Sequence, residues 1–120
     1  MLQSEISGQN YASRIEVFQT SKDRTTGLLK FKEPPHDYAA IFELPLNGFL
    51  PMVHTFGMKF PIHILFCDRN GEVKEIYTNI QPGVFVLPWR AVLGGRPYLL
   101  ELSHPTAIPP LGDKLNWRGL

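Results

Sequence analysis

The chain has 120 residues, about the length of one domain, so a two-domain enzyme is not expected. Twelve Lys and Arg stand against 11 Asp and Glu, so there is no basic surplus of the kind that binds nucleic acid. With 43% hydrophobic and 19% charged residues the composition is globular, and a single cysteine excludes an internal disulfide and a four-cysteine zinc site.

In chain order, Met1 to Ala12 is mixed polar and is expected to be an irregular or flexible lead into a single domain spanning 1–120. It lacks the basic start and apolar run of a signal peptide, and no later stretch approaches the roughly 20 apolar residues of a membrane span. A cytoplasmic protein without a membrane partner is the expectation. Ile15 and Val17 fit a first strand. Ser21–Leu29 is the one good helix candidate, capped by Thr20 or Ser21 and closed by Gly27. All 11 prolines lie from Pro34 onward, and each removes a backbone donor and biases its predecessor away from helix.

Between the prolines lie six short β-rich runs: Tyr38–Glu43, Met52–Phe56, Phe60–Asp68, Val73–Thr78, Val84–Leu87 and Tyr98–Leu102. Asp68-Arg69-Asn70-Gly71 joins two of them, and Asn-Gly is expected to supply the positive φ of a tight hairpin. Leu111 to Leu115 reads as a turn into a last short strand ending near Trp117. The predicted fold is mainly β: a single antiparallel β-sandwich or barrel-like domain with one short helix near Arg24.

Strand side chains alternate between faces, so positions 52 to 67 divide by parity. Met52, His54, Phe56, Met58, Phe60, Ile62, Ile64 and Phe66 form one set, in which His54 is the sole polar member. The block from His54 to Ile62, followed by Phe66 and Asp68-Arg69-Asn70-Gly71-Glu72-Val73, resembles the bacterial and archaeal family called domain of unknown function 192. Arg24 with Gly27-Leu28-Leu29, Leu99–Leu102 and Leu111-Gly112-Asp113 match further segments of that family, so the likeness covers about Ser13 to Trp117. Two departures stand out: the family usually carries Asp at His63 and Met at Leu29. The resemblance implies a compact β-rich fold with one short helix, and it carries no activity.

The candidate chemistry is sparse. His54 interrupts an apolar stripe, where an unbonded polar ring costs free energy; it is either a histidine satisfied by backbone groups or a functional group. His36, His54, His63 and His104 show no close metal-ligand spacing, and neither metal nor cofactor is expected. Cys67 and His63 sit four residues apart on one strand, roughly 13 Å, too far for a nucleophile and its base. Lys59, Arg24, Arg90 and Arg96 are candidate anion contacts, with Lys59 favoured by its place between Met58 and Phe60. Trp89 is a candidate exposed aromatic. Glu72 and Glu75 read as solvent-facing, which leaves no carboxylate pair for acid–base work.

The expected function is a small-ligand or peptide-binding β module. Its cleft is placed at His54, Arg24, Met58, Lys59 and Phe60, with preference for a small anionic or carbonyl-bearing ligand. The alternative is a small metal-independent enzyme using His54 as general acid/base, with a basic residue stabilising an anionic group.

Overall fold

Three segments, Tyr38–Phe42, Ile62–Cys67 and Tyr98–Leu102, are apolar with little alternation. A strand of that kind belongs in the middle of a sheet covered on both faces. A computed structural model of the chain describes residues 1–18, 31–43, 53–54, 58–83, 85–86, 98–103 and 107–117. In chain order the strands are β1 (Leu2–Ser4), β2 (Asn10–Ala12), β3 (Arg14–Phe18), β4 (Tyr38–Glu43), β5 (Val53–His54), β6 (Ile62–Cys67), β7 (Val73–Ile80), β8 (Phe85–Val86), β9 (Tyr98–Ser103) and β10 (Leu115–Asn116). The central sheet has the order β3-β4-β9-β6-β7, and the three apolar segments are its middle strands.

Both faces of that sheet are buried. On the first, Ala39, Ile41, Leu65, Cys67, Leu100 and Leu102 pack against Leu2, Tyr11, Ala12, Leu115 and Trp117. These partners belong to a small sheet of order β10-β1-β2 and the residue that follows it. On the second face, Tyr38, Ala40, Phe42, Ile62, Ile64, Phe66 and Leu99 form a separate cluster with Met58 and Phe60. The chain is therefore mainly β and sandwich-like. Its sheets are open, not a closed barrel, since β3 and β7 end the central sheet among the described residues. The expected helix Ser21–Leu29 lies outside the described residues.

Three expectations need correction. Residues 1–12 are not irregular: β1 pairs with β10 and β2, and Leu2 and Ala12 are fully buried. The Ser4 hydroxyl accepts the amides of Ile6 and Ser7, which turns the chain between the two strands. The sheet is not wholly antiparallel: β3 runs parallel to β4, with Arg14 opposite Tyr38 and Phe18 opposite Phe42. Residues 19–37 make a connection long enough for the crossover a parallel pair requires. In the hairpin turn only Gly71 has positive φ (84°), while Asn70 does not. Gly71 N–H donates to the Asp68 carbonyl, and the Asp68 carboxylate accepts the amides of Asn70 and Glu72. This is a turn closed by a left-handed glycine, the common longer alternative to the two-residue hairpin.

His63 has a structural partner. Between Ile62 and Ile64 the pairing with β7 shifts, and Asn79, at φ 52°, donates its amide to His63 Nδ1 at 3.1 Å. The ring is 3% exposed, so it supplies the acceptor for a bulge amide that the ladder leaves unpaired. His63→Ala should cost about 1–3 kcal/mol by orphaning that amide. His63→Asp, which keeps an acceptor, should cost clearly less; denaturant titration of both variants checks this.

Candidate functional site

Of the residues expected to form the site, Met58 (8% exposed) and Phe60 (4%) are buried together in the second-face cluster. Lys59 between them is exposed, as alternation at the entry to β6 requires. His54 lies on β5, its backbone paired with Phe85 on β8. Arg24, Arg90, Arg96 and Trp89 lie outside the described residues, and so does the expected convergence of Arg24 with His54.

The second face carries a polar row that the sequence reading missed. The register sets Glu16 opposite Ala40, Ala40 opposite Glu101, and Glu101 opposite Ile64. Glu101, only 6% exposed, thus stands in a middle strand on the same face as Tyr38, Phe42, Ile62 and Phe66. Tyr38 lies diagonally between the two carboxylates and donates its hydroxyl to Glu16 Oε1 at 2.7 Å. Burial first, then the Glu16 hydrogen bond and the negative charges of Glu16 and Glu101, hold the Tyr38 hydroxyl far above the usual phenol range, with Arg14 opposing. The phenol therefore remains a fixed donor and is no nucleophile or base near neutral pH. The Arg14 guanidinium lies 5.9 Å from the Tyr38 ring centre and donates to the His36 carbonyl at 2.7 Å.

A second tyrosine–carboxylate pair stands at the other edge of the same face. Tyr77 donates to Glu75 Oε2 at 2.6 Å and meets Phe66 edge-on, with ring centres 6.1 Å apart. Glu75 is 6% exposed and not solvent-facing as expected. A register shift between Phe66 and Cys67 turns its side chain to the face of Phe66, its partner across the ladder. The row thus combines carboxylates and tyrosines with an aromatic floor. It can hold and orient a ligand, but it presents no activated nucleophile.

Cys67 is fully buried on the first face, and burial, with the charges of Asp68 and Asp113 adding to it, pushes its thiol up to about 12. Native labelling by a thiol reagent should accordingly be slow and labelling in denaturant fast. The raised value also has a pH consequence. The folded thiol keeps its proton where the unfolded one, near the ordinary 9.0, loses it. Stability present below about pH 9 should therefore fall as pH rises toward 12. Cys67→Ala should flatten the decline between about pH 9 and 10, before the tyrosines contribute. Among the described residues no three His, Cys, Asp or Glu gather into a metal-holding group, and no helix is long and apolar enough to cross a membrane.

Fold and site together define a small sandwich-like β domain whose central sheet buries a row of carboxylates and tyrosines on one face. The family model DUF192, described as "Uncharacterized ACR", matches residues 2–107, and the chain belongs to that family. No curated protein matches it. Among solved structures it is similar to the crystal structure of "a putative transcription regulator" from Sinorhizobium meliloti 1021, at TM-score 0.67 and 22% identity over 88% of this chain and 82% of that one. It is similar also to a protein of unknown function from Novosphingobium aromaticivorans DSM 12444, at TM-score 0.67 and 23% identity over 86% of this chain and 74% of that one. At these identities the likeness establishes the fold alone.

Proposed function

We propose that the chain is a non-enzymatic module, cytoplasmic, that binds a small ligand or peptide beside the segment Met58-Lys59-Phe60, over the second face of the central sheet. The observation that carries this reading is Glu101, a carboxylate 6% exposed in a middle strand, one strand from the Glu16–Tyr38 pair. It sets a polar group among the apolar side chains of that face. Apolar walls with a few placed polar groups are the usual make-up of a ligand site.

The ligand class follows from the two polarities present. Lys59, with His54 and Arg24 as its proposed companions, suits an anionic or carbonyl-bearing ligand. Glu16 and Glu101 give the same face an acidic polarity that suits a molecule carrying hydrogen-bond donors as well. An amide or peptide-like compound offers both. The near balance of charge supports a partner other than nucleic acid, whatever the regulator from Sinorhizobium meliloti binds. The alternative, an enzyme with His54 as general acid/base, predicts turnover that His54→Ala abolishes without loss of binding.

A thermal-shift screen of amide and carboxylate compounds tests the proposal. A ligand at one hundred times its Kd stabilises the fold by about 2.7 kcal/mol, which such a screen detects. Lys59→Ala should weaken a hit about fivefold at low salt and less at high salt, as an exposed charge contact does. Glu101→Gln should weaken it with little salt dependence. A screen in which neither variant weakens any hit would overturn the placement of the site.

A further inference from the structure

We propose that a second site, independent of the first, lies in the cleft between the Asp68–Gly71 turn and the C-terminal strand β10, and that it takes a small planar carboxylate. The cleft has a volume of about 260 Å³ and is lined by Glu5, Arg69, Asn70, Gly71, Tyr98, Leu115, Asn116 and Trp117. That is slightly below the roughly 300–1,000 Å³ of most small-molecule sites, a size for one or two fused rings.

Its frame is rigid. Gly71 O accepts the Leu115 amide at 2.9 Å, and a Cβ at Gly71 would stand 2.3 Å from the Leu115 carbonyl oxygen. Glycine thus lets the turn lie directly against β10. The Tyr98 and Trp117 rings meet edge to face on the other side, 5.0 Å apart at 78°, and give a flat ligand an aromatic wall.

The polar groups left over favour an acceptor. Trp117 is 8% exposed, yet among the described residues its indole N–H meets no acceptor. A buried donor in that position invites one from outside. The Arg69 guanidinium and the Asn70 side-chain amide, both at the exposed tip of the turn, likewise have no partner among the described residues. Glu5, the one carboxylate of the lining, is already paired with Lys114 at 3.4 Å, so the uncompensated charge at the cleft is that of Arg69. Three donors, one of them a guanidinium, beside an aromatic wall suit a ring bearing a carboxylate.

The probe is 2-naphthoate, with 2-naphthamide as its neutral counterpart, titrated into the ¹⁵N-labelled full chain. The chain has two tryptophans, so the indole signal remaining in Trp89→Phe is that of Trp117. Naphthoate should move that signal and the amides of 69–71 and 115–117 saturably, leaving those of 38–43 and 99–103 in place. Arg69→Ala should weaken naphthoate about fivefold and leave naphthamide unchanged, since it removes only the charge contact. Failure of the indole signal to move at millimolar naphthoate would overturn the site. Equal affinity for acid and amide, or no effect of Arg69→Ala, would overturn the ligand class. Neither result bears on the second-face proposal, whose amides are read separately.

Discussion

Gly71→Val should destabilise the fold by about 3 kcal/mol or more, through two costs that add. The first is backbone strain: Gly71 sits at φ 84°, where a β-branched residue is poorly accommodated. The second is steric, since a Cβ there would lie 2.3 Å from the Leu115 carbonyl oxygen, a backbone atom that cannot swing aside. Relief requires β10 to move, and β10 closes the small sheet over the first-face core. Gly112 separates the two costs. It has the same φ of 84° but open space where its Cβ would point. Gly112→Ala should therefore cost about 1 kcal/mol from strain alone, and Gly71→Ala clearly more. Denaturant midpoints at unchanged m measure the difference. Equal losses at the two positions would mean that the turn does not rest on β10.

Asp113→Ala should be nearly as damaging, at about 3 kcal/mol, because this carboxylate is the hub of a buried network. It is 6% exposed and accepts the Ser4 hydroxyl at 2.5 Å, the Tyr11 hydroxyl at 3.2 Å and the Lys114 amide at 2.9 Å. Its own carbonyl accepts the Val73 amide at 2.8 Å. The side chain thus fastens β1 and β2 to the C-terminal turn, and the backbone carbonyl of the same residue ties that turn to the start of β7. Alanine leaves two hydroxyls without their acceptor, each a desolvation cost of about 1–3 kcal/mol. The Ser4 oxygen already accepts two amides, so its proton is committed to Asp113. Asp113→Asn can turn its oxygen to Ser4 and its amide to Tyr11, and should lose only about 1 kcal/mol. A loss in the alanine variant no larger than in the asparagine variant would contradict the hub.

The Asp113 network also explains what the sequence hid. β1 and β2 are three-residue strands; β1 pairs with β10 more than a hundred positions away, and β2 pairs with β1 and reaches Asp113 through Tyr11, so no local pattern marks them. The opposite holds for Met58, Phe60, Ile62, Ile64 and Phe66, whose parity was legible and whose side chains share one cluster. Glu75 was misread because the register shift beside Phe66 exchanges the two faces within one strand, an event that alternation alone does not reveal. Glu101 was legible in principle. It is the single charged residue in the run Tyr98–Leu102, the same kind of interruption as His54 in its own stripe. The pairing of Glu16 with Tyr38 was not, since it depends on a parallel crossover that joins strands far apart in sequence.

The most direct test is to map where a screen hit that Lys59→Ala weakens perturbs the ¹H–¹⁵N spectrum of the full chain. Saturable shifts should concentrate in 38–43, 58–66 and 99–103, the strands and entry segment of the second face, and should be lost in Glu101→Gln. Shifts confined to the first-face sheet of β1, β2 and β10, or shifts that survive unchanged in Glu101→Gln, would contradict the second-face site.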